Sequence, residues 1–234
     1  MVKWDYEMKV PEQAADVAAR AYEMTMTSPK GPVYLVLPRE PLAAPVSETL
    51  GSAPRALPSN GFPDPQAIAT LAEWIAKAEN PLIVTSSDGD PRAVAALSKL
   101  AERFALPVVN HNPRVVTLPA SHPMHAGYDS GPLVPHSDLV INAECDVPYY
   151  PHLDKTRAEA KFVHIGEDTV YQRYPMRSFP SDLSITARSA LAYEALHTAL
   201  EKYLPQMQAG IERRRKQAAE RRKTREEKVA KESR

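Results

Sequence analysis

Residues 80–110, NPLIVTSSDGDPRAVAALSKLAERFALPVVN, restrict the possible fold more than any other part of the chain. Leu82, Ile83 and Val84 form a short unbroken apolar run, and Leu106, Val108 and Val109 form another, as expected of strands covered on both faces. Between them Val94, Leu97, Leu100, Ala101 and Phe104 recur at spacings of three and four, which puts them on one face of a helix. That helix is long enough to return the chain to the same edge of the sheet, so the unit is a βαβ crossover and the sheet is parallel. The intervening SDGD reads as the turn between strand and helix, with Asp90 as N-cap and Pro91 at the first helical position. In open parallel sheets the loops at the carboxyl ends of the strands form the ligand crevice, so residues 86–90 and 110–114 should share one rim.

The same reading extends in both directions. Residues 11–27 carry Ala14, Val17, Ala18, Ala21 and Met24 on one helical stripe, and VYLVLP follows the SPKG turn as a strand. One helix and one strand cannot bury their own apolar faces, so residues 1–40 are expected to complete something larger. Residues 41–61 shift to Pro, Ala, Ser and Gly and read as a linker. Asp64 should then cap a helix with Pro65 in its first turn and Ile68, Leu71, Ala72 and Ile75 on its buried side. A long irregular segment follows Asn110. DLVINA and KFVHIG read as two more buried strands, and Leu191, Ala192, Leu196, Ala199, Leu200 and Tyr203 stripe a closing helix that Pro205 stops. Residues 62–205 therefore suffice for an independent α/β domain built on a doubly wound parallel sheet.

Composition excludes several function classes. No run approaches the roughly 18 to 20 apolar residues of a membrane span, and MVKWDYEMKV lacks the apolar stretch of a signal peptide, so a cytoplasmic protein is expected. The single cysteine, Cys145, allows no internal disulfide and reads as a small buried apolar residue. Residues 206–234 form a charged helical extension. From residue 211 onward it holds eleven Lys and Arg against five Glu, with no aromatic residue to stack on bases. A solvated helix with i,i+4 pairs such as Glu212 with Lys216 and Glu227 with Lys231 is therefore preferred to a nucleic-acid arm.

Candidate chemistry is sparse. His122 and His125 in SHPMH lack a third ligand at metal spacing, with only His111 and His136 near, so loop hydrogen bonding is expected and no metal site. Ser86 and Ser87 stand outside any G-x-S-x-G nucleophile turn, and no G-x-G-x-x-G is present.

At SPKGPVYLVLPRE the sequence resembles the thiamine diphosphate-dependent enzymes of the acetolactate synthase type, in which such a segment closes the pyrimidine-binding domain. Looser matches follow in the βαβ unit, LPASHPMHAGY, DLVINAECDVPYYP and HIGEDTVYQRYPMRSFPSD, so the resemblance runs from about Trp4 to Pro205. It implies the end of a pyrimidine domain over residues 1–40, then the linker. Residues 62–205 would be a Rossmann-like central domain of the DHS-like nucleotide-binding kind. In the complete enzyme it implies thiamine diphosphate and magnesium, lyase or transferase chemistry on 2-keto acids (decarboxylation or carboligation), and an oligomer. The activating glutamate and the GDG motif that holds magnesium are not matched by any residues here, so no catalytic residue is assigned. The missing domains are expected on partner chains or beyond this stretch. The alternatives are a non-catalytic assembly subunit and a stand-alone nucleotide-binding module.

The resemblance also implies where FAD or ADP would lie, across the carboxyl ends of the strands at Thr85, Asn110, Ala143 and Gly166. The cofactor-binding positions carried over are Asn110, Gly127, Glu144, Asp146, Gly166, Glu167 and Asp168. Where the synthases place an arginine after the DLVINA-like strand, this chain has Glu144, Cys145 and Asp146, whose charges are expected to weaken a diphosphate's hold.

Overall fold

A computed structural model describes residues 2–46, 51, 53, 55–86 and 90–232; the turn residues Ser87, Asp88 and Gly89 lie outside them. The chain divides into two compact units, Met1–Asn60 and Gly61–Arg234.

The larger unit is α/β and is built on six parallel strands, β3 (Pro81–Thr85), β4 (Val108–Asn110), β5 (His125–Gly127), β6 (Leu139–Ala143), β7 (Lys161–Gly166) and β8 (Leu183–Thr186), in the order β5-β4-β3-β6-β7-β8. The chain winds outward from β3 to β5, returns to β6 beside β3, and winds the other way to β8. Every residue of β3, β4 and β6 is buried. Ile83, Val108, Ile141, Val163 and Ile185 face a core shared with α3 (Pro65–Lys77), α4 (Pro91–Phe104) and α5 (Ser189–Glu201). Leu82, Val84, Val109, Val140 and Phe162 face the other way, onto Val134, Cys145 and Tyr149, so irregular segments cover that side. Burial pushes the Cys145 thiol up to about 12, which keeps it a neutral apolar filler.

Local signals agree with this packing. Asp64 accepts from the Gln66 amide at 2.9 Å and Asp90 from the Arg92 amide at 3.0 Å, each with a proline at the helix start. The buried residues of α3 are Ile68, Leu71, Ala72 and Ile75, the stripe its spacing predicts. Strands β5 and β8 are not evident from sequence, because HAG and LSIT are too short to show a period.

Register in such a sheet needs polar pins. Strands apolar on both faces gain little from one alignment over the next, since a one-residue slip exchanges one apolar side for another. The Asp138 carboxylate, just ahead of β6, accepts from the Glu79 amide at 2.7 Å and the Asn80 amide at 2.9 Å, just ahead of β3. Its own carbonyl accepts from Lys161 at 3.0 Å, at the start of β7. Asp182 does the same between β7 and β8, its carboxylate accepting from the Phe162 amide at 2.7 Å.

The basic tail differs from expectation. Pro205 does end one helix, but it also opens another, α6 (Leu204–Glu232), because proline is tolerated in a first turn. This helix is seated on the domain: Met207, Ile211 and Ala218 are buried in the helical core, and Arg214 is buried with them. Helix α4 ends at Ala105 in the left-handed conformation, φ 50°. Arg214 donates to the carbonyls of Phe104 and Ala105, both at 3.0 Å, and so caps that end. Among the described residues the i,i+4 ion pair within α6 is Arg222 with Glu226 at 2.8 Å, not the expected Glu212–Lys216 or Glu227–Lys231.

The smaller unit pairs β1 (Trp4–Glu7) in parallel with β2 (Val33–Val36), with α1 (Ala14–Met26) against them and a short α2 (Arg39–Ala43) at the start of the stretch read as linker. From sequence alone no strand is expected before Pro11; WDYE is too short to reveal one. Among its described residues only Met8, Val17 and Ala21 are buried apolar side chains, while Tyr22, Tyr34, Leu37 and Leu42 stand exposed. A sheet of two strands with so small a core is marginal.

Hydrogen exchange should therefore show the β1 and β2 amides exchanging at least about a hundredfold faster than those of Leu82 to Val84. Equal protection would mean that these strands have a stabilising surface not accounted for above. Asp138→Ala should lower the free energy of unfolding by about 2 kcal/mol in a urea titration, the worth of two amide bonds to a charged acceptor less partial re-solvation. A change under about 0.5 kcal/mol would remove the register role assigned to this carboxylate.

Candidate carboxyl rim of the central sheet

The carboxyl ends of β4, β3, β6 and β7 stand side by side, and the winding direction reverses between β3 and β6, the place where open α/β sheets gather ligands. Loop 111–118 folds over β3: the His111 amide donates to Thr85 O at 2.9 Å, the Arg114 amide to Ser86 O at 3.0 Å, and Ser86 Oγ to Asn112 O at 3.1 Å. A cavity of about 370 Å³ opens at the end of β4, lined by Asn110, Pro113, Arg114, Val116, Leu118 and Tyr128.

The structure brings the residues expected from sequence to this rim, and nearly every one has an internal task. Asn110 is buried, donates from Nδ2 to Leu118 O at 3.1 Å and accepts from the Thr117 hydroxyl, which fixes the loop's return. Gly127 adopts φ +114°, a conformation side chains rarely take, where the pairing of β5 with β4 shifts register. Glu144 turns the chain sharply after β6 at φ 47°, and its carboxylate accepts from the Glu167 amide at 2.8 Å. Gly166 leaves room for that carboxylate: a Cβ there would stand 3.0 Å from it. Glu167 accepts from Arg188 at 3.1 Å, and Asp168 from the Gln172 amide at 3.0 Å.

Asp146 has 14% of its side chain exposed, against 20% for Glu167. It accepts from Arg114 and, at 2.7 Å, from the Tyr174 hydroxyl. Burial alone would raise its pKa, but Tyr174 and Arg114 together outweigh burial and hold the carboxyl below its ordinary value. The Asp146 negative charge is thus paired with the positive charge of Arg114. Arg177 supports the same loop from below, donating to Asp146 O at 3.2 Å with its guanidinium 4.5 Å from the Tyr171 ring and 4.9 Å from the Phe179 ring.

Arg114, Tyr174 and Arg177 are the residues that sequence reasoning missed. Their partners lie about 30 positions away in the chain, and no local pattern announces them. The histidines serve hydrogen bonds. The His122 ring bonds Ser98 O at 3.2 Å and accepts from the Met124 amide at 3.1 Å, while His125 Nδ1 meets Arg225 at 3.1 Å.

Comparison with known proteins agrees with the fold. Residues 68–196 match the family described as thiamine pyrophosphate enzyme, central domain. The chain is 33% identical over 117 residues to the "Probable 2-ketoarginine decarboxylase AruI" of Pseudomonas aeruginosa, covering 50% of this chain and 21% of that protein. It is 28% identical over 109 residues to benzoylformate decarboxylase of the same organism, covering 46% and 21%. The chain thus spans about a fifth of the length of these curated relatives. Among solved structures, benzoylformate decarboxylase from Polynucleobacter necessarius superposes with a TM-score of 0.69 at 23% identity, covering 85% of this chain and 38% of that one. A thiamine diphosphate-dependent 4-hydroxybenzoylformate decarboxylase from Rhodococcus jostii gives 0.65 at 22%, covering 84% and 39%. At these identities the superpositions speak to the fold.

The lowered Asp146 carboxyl makes a signed prediction. Its contribution to stability is full above the unfolded carboxylate value of about 3.9 and is lost as pH falls through the lower folded value. Asp146→Asn should cost about 1 kcal/mol at pH 7, because Arg114 is largely exposed and screened, and the gap from wild type should close towards pH 2. Urea midpoints at both pH values check this; an equal gap at both would show that the carboxylate's charge is not what holds the loop.

Proposed function

Because the chain belongs to the family of thiamine pyrophosphate enzyme central domains, we propose that it forms the middle of an enzyme that uses thiamine diphosphate and magnesium to decarboxylate or ligate 2-keto acids. The observation that carries this reading is the family match over residues 68–196, lying on the six-stranded parallel sheet. The curated relatives named above are decarboxylases, and their names specify 2-ketoarginine and benzoylformate, both 2-keto acids. Acetolactate synthase-like carboligation is the activity that the SPKGPVYLVLPRE resemblance adds.

The residues of this stretch do not fit the cofactor itself. A magnesium diphosphate site needs several converging oxygen ligands. Among the described residues no three His, Cys, Asp or Glu side chains are grouped to hold a metal, and Asp146, Glu167 and Asp168 are each engaged by an arginine or a backbone amide. On this reading the cofactor is held by pyrimidine and diphosphate domains, on other segments or on partner chains in an oligomer, and this domain spaces them.

A second reading, a nucleotide such as FAD or ADP on the carboxyl rim, is favoured by the cavity at the end of β4 and by the compensation of Asp146. Asn110, Gly127, Glu144, Asp146, Gly166, Glu167 and Asp168 would then frame the ligand, with Arg114 as the cation nearest a diphosphate.

Calorimetry separates these readings. The purified chain should give no magnesium-dependent heat with thiamine diphosphate and no turnover of benzoylformate, whereas micromolar binding would overturn the assignment of the cofactor to other domains. Heat with ADP, lost on Arg114→Ala, would establish the second reading; none would leave the domain as a spacer.

A further inference from the structure

Helix α6 and residues 126–137 enclose two neighbouring cavities, the inner one at the amino-terminal side of the sheet, opposite the rim. The inner one, about 190 Å³, is lined by Asn80, Pro107 and His136 and by Arg214, Gln217 and Arg221 of α6. The outer one, about 580 Å³, lies between α6 and Asp129, Pro132 and Leu133, and Arg221 lines it too. Among the described residues no acidic side chain lines the inner cavity, although two guanidinium groups do.

Those two groups differ in how they are satisfied. Arg214 bonds the Phe104 and Ala105 carbonyls, which are dipoles and not charges, and burial pulls it down to about 10. Arg221 has its Nε and Nη2 buried and, among the described residues, without any hydrogen-bond partner, and burial lowers it as well, with Glu220 opposing. The Asp138 charge acts on Arg214 from beyond the cavity lining, its carboxylate being held by the Glu79 and Asn80 amides. One buried and one half-buried cation sharing a cavity, with no ion pair to either among the described residues, is a costly arrangement that a bound counter-charge relieves. Water would satisfy donors there but would bring no charge.

Nε and Nη2 form one edge of a guanidinium, the two parallel donors that grip a pair of oxygens on a phosphate. We propose that the inner cavity binds a phosphoryl dianion, with the unpartnered edge of Arg221 turning onto it, Arg214 supplying the second positive charge, and Gln217 a neutral donor. The dianion is free phosphate or the phosphoryl end of a small metabolite. The site lies on the far side of the sheet from the rim, so its occupation does not compete with a rim ligand. Instead it would lock α6 against the starts of β3 and β4.

The test uses the full chain and inorganic phosphate. Thermal midpoints are measured in rising phosphate, with sodium chloride holding ionic strength constant and glycerol phosphate as a parallel series. A saturating rise is expected with phosphate, and Arg221→Gln should weaken the apparent affinity at least about tenfold. A rise with both compounds identifies a phosphoryl subsite open to metabolites; a rise with phosphate alone identifies a free-ion site. In parallel, the assigned Arg221 Nε–H resonance should shift and saturate over the same phosphate range, a readout that stands if the variant fails to fold. A rise that chloride reproduces, a rise that Arg221→Gln retains, or an unmoved Nε–H resonance overturns the proposal.

Discussion

The alignment of the central sheet is pinned by one carboxylate. Asp138 joins the entries of β3, β6 and β7 at the amino end of the sheet, across a sequence gap of 58 residues to Asn80. Hydrophobic burial drives these strands together, but burial is non-directional and is nearly indifferent to alignment where both faces are apolar. The carboxylate is directional. Once it receives the Glu79 and Asn80 amides, Leu82 stands opposite Val140 and Thr85 opposite Ala143, and the ends of β3 and β6 come level. A level rim on the opposite side of the sheet follows from this pin and from the equal lengths of the two strands.

What that rim presents is largely a closed set of partnerships. Glu144, Asp146, Glu167 and Asp168 look in sequence like a row of acids awaiting a ligand. In the folded chain one turns back onto an amide, two meet arginines and one caps a turn. Gly166, which a motif-based view would assign to close backbone approach by phosphate, gives its space to the Glu144 carboxylate. The rim is therefore held in shape by contacts of its own residues.

How much of this was legible follows from range. Helix stripes, N-caps and buried strands rest on neighbours within four residues, and Ile68, Leu71, Ala72, Ile75, Asp64 and Asp90 all stand as their spacing implies. Strands of three or four residues, such as WDYE, HAG and LSIT, carry too few repeats to be read. The rim residues were located by resemblance and by the parallel sheet, but Arg114, Tyr174 and Arg177 depend on contacts that only the fold creates. The tail misled for a different reason: charge density describes the average of a segment, while the seat of α6 rests on which few residues, Met207, Ile211, Arg214 and Ala218, face inward.

That seat has one more property. Arg213, Arg214, Arg215, Arg222 and Arg225 reach the carbonyls of Glu79, Phe104 and Ala105, Glu102, Ser121 and His125, so the domain receives these arginines largely with its main chain. A carbonyl is present whatever residue stands at a position. Drift among the exposed receiving side chains therefore leaves the docking intact, whereas a change at one of the arginines has no such tolerance. Mutational sensitivity should thus be concentrated on the helix, in a stretch whose composition suggests the opposite.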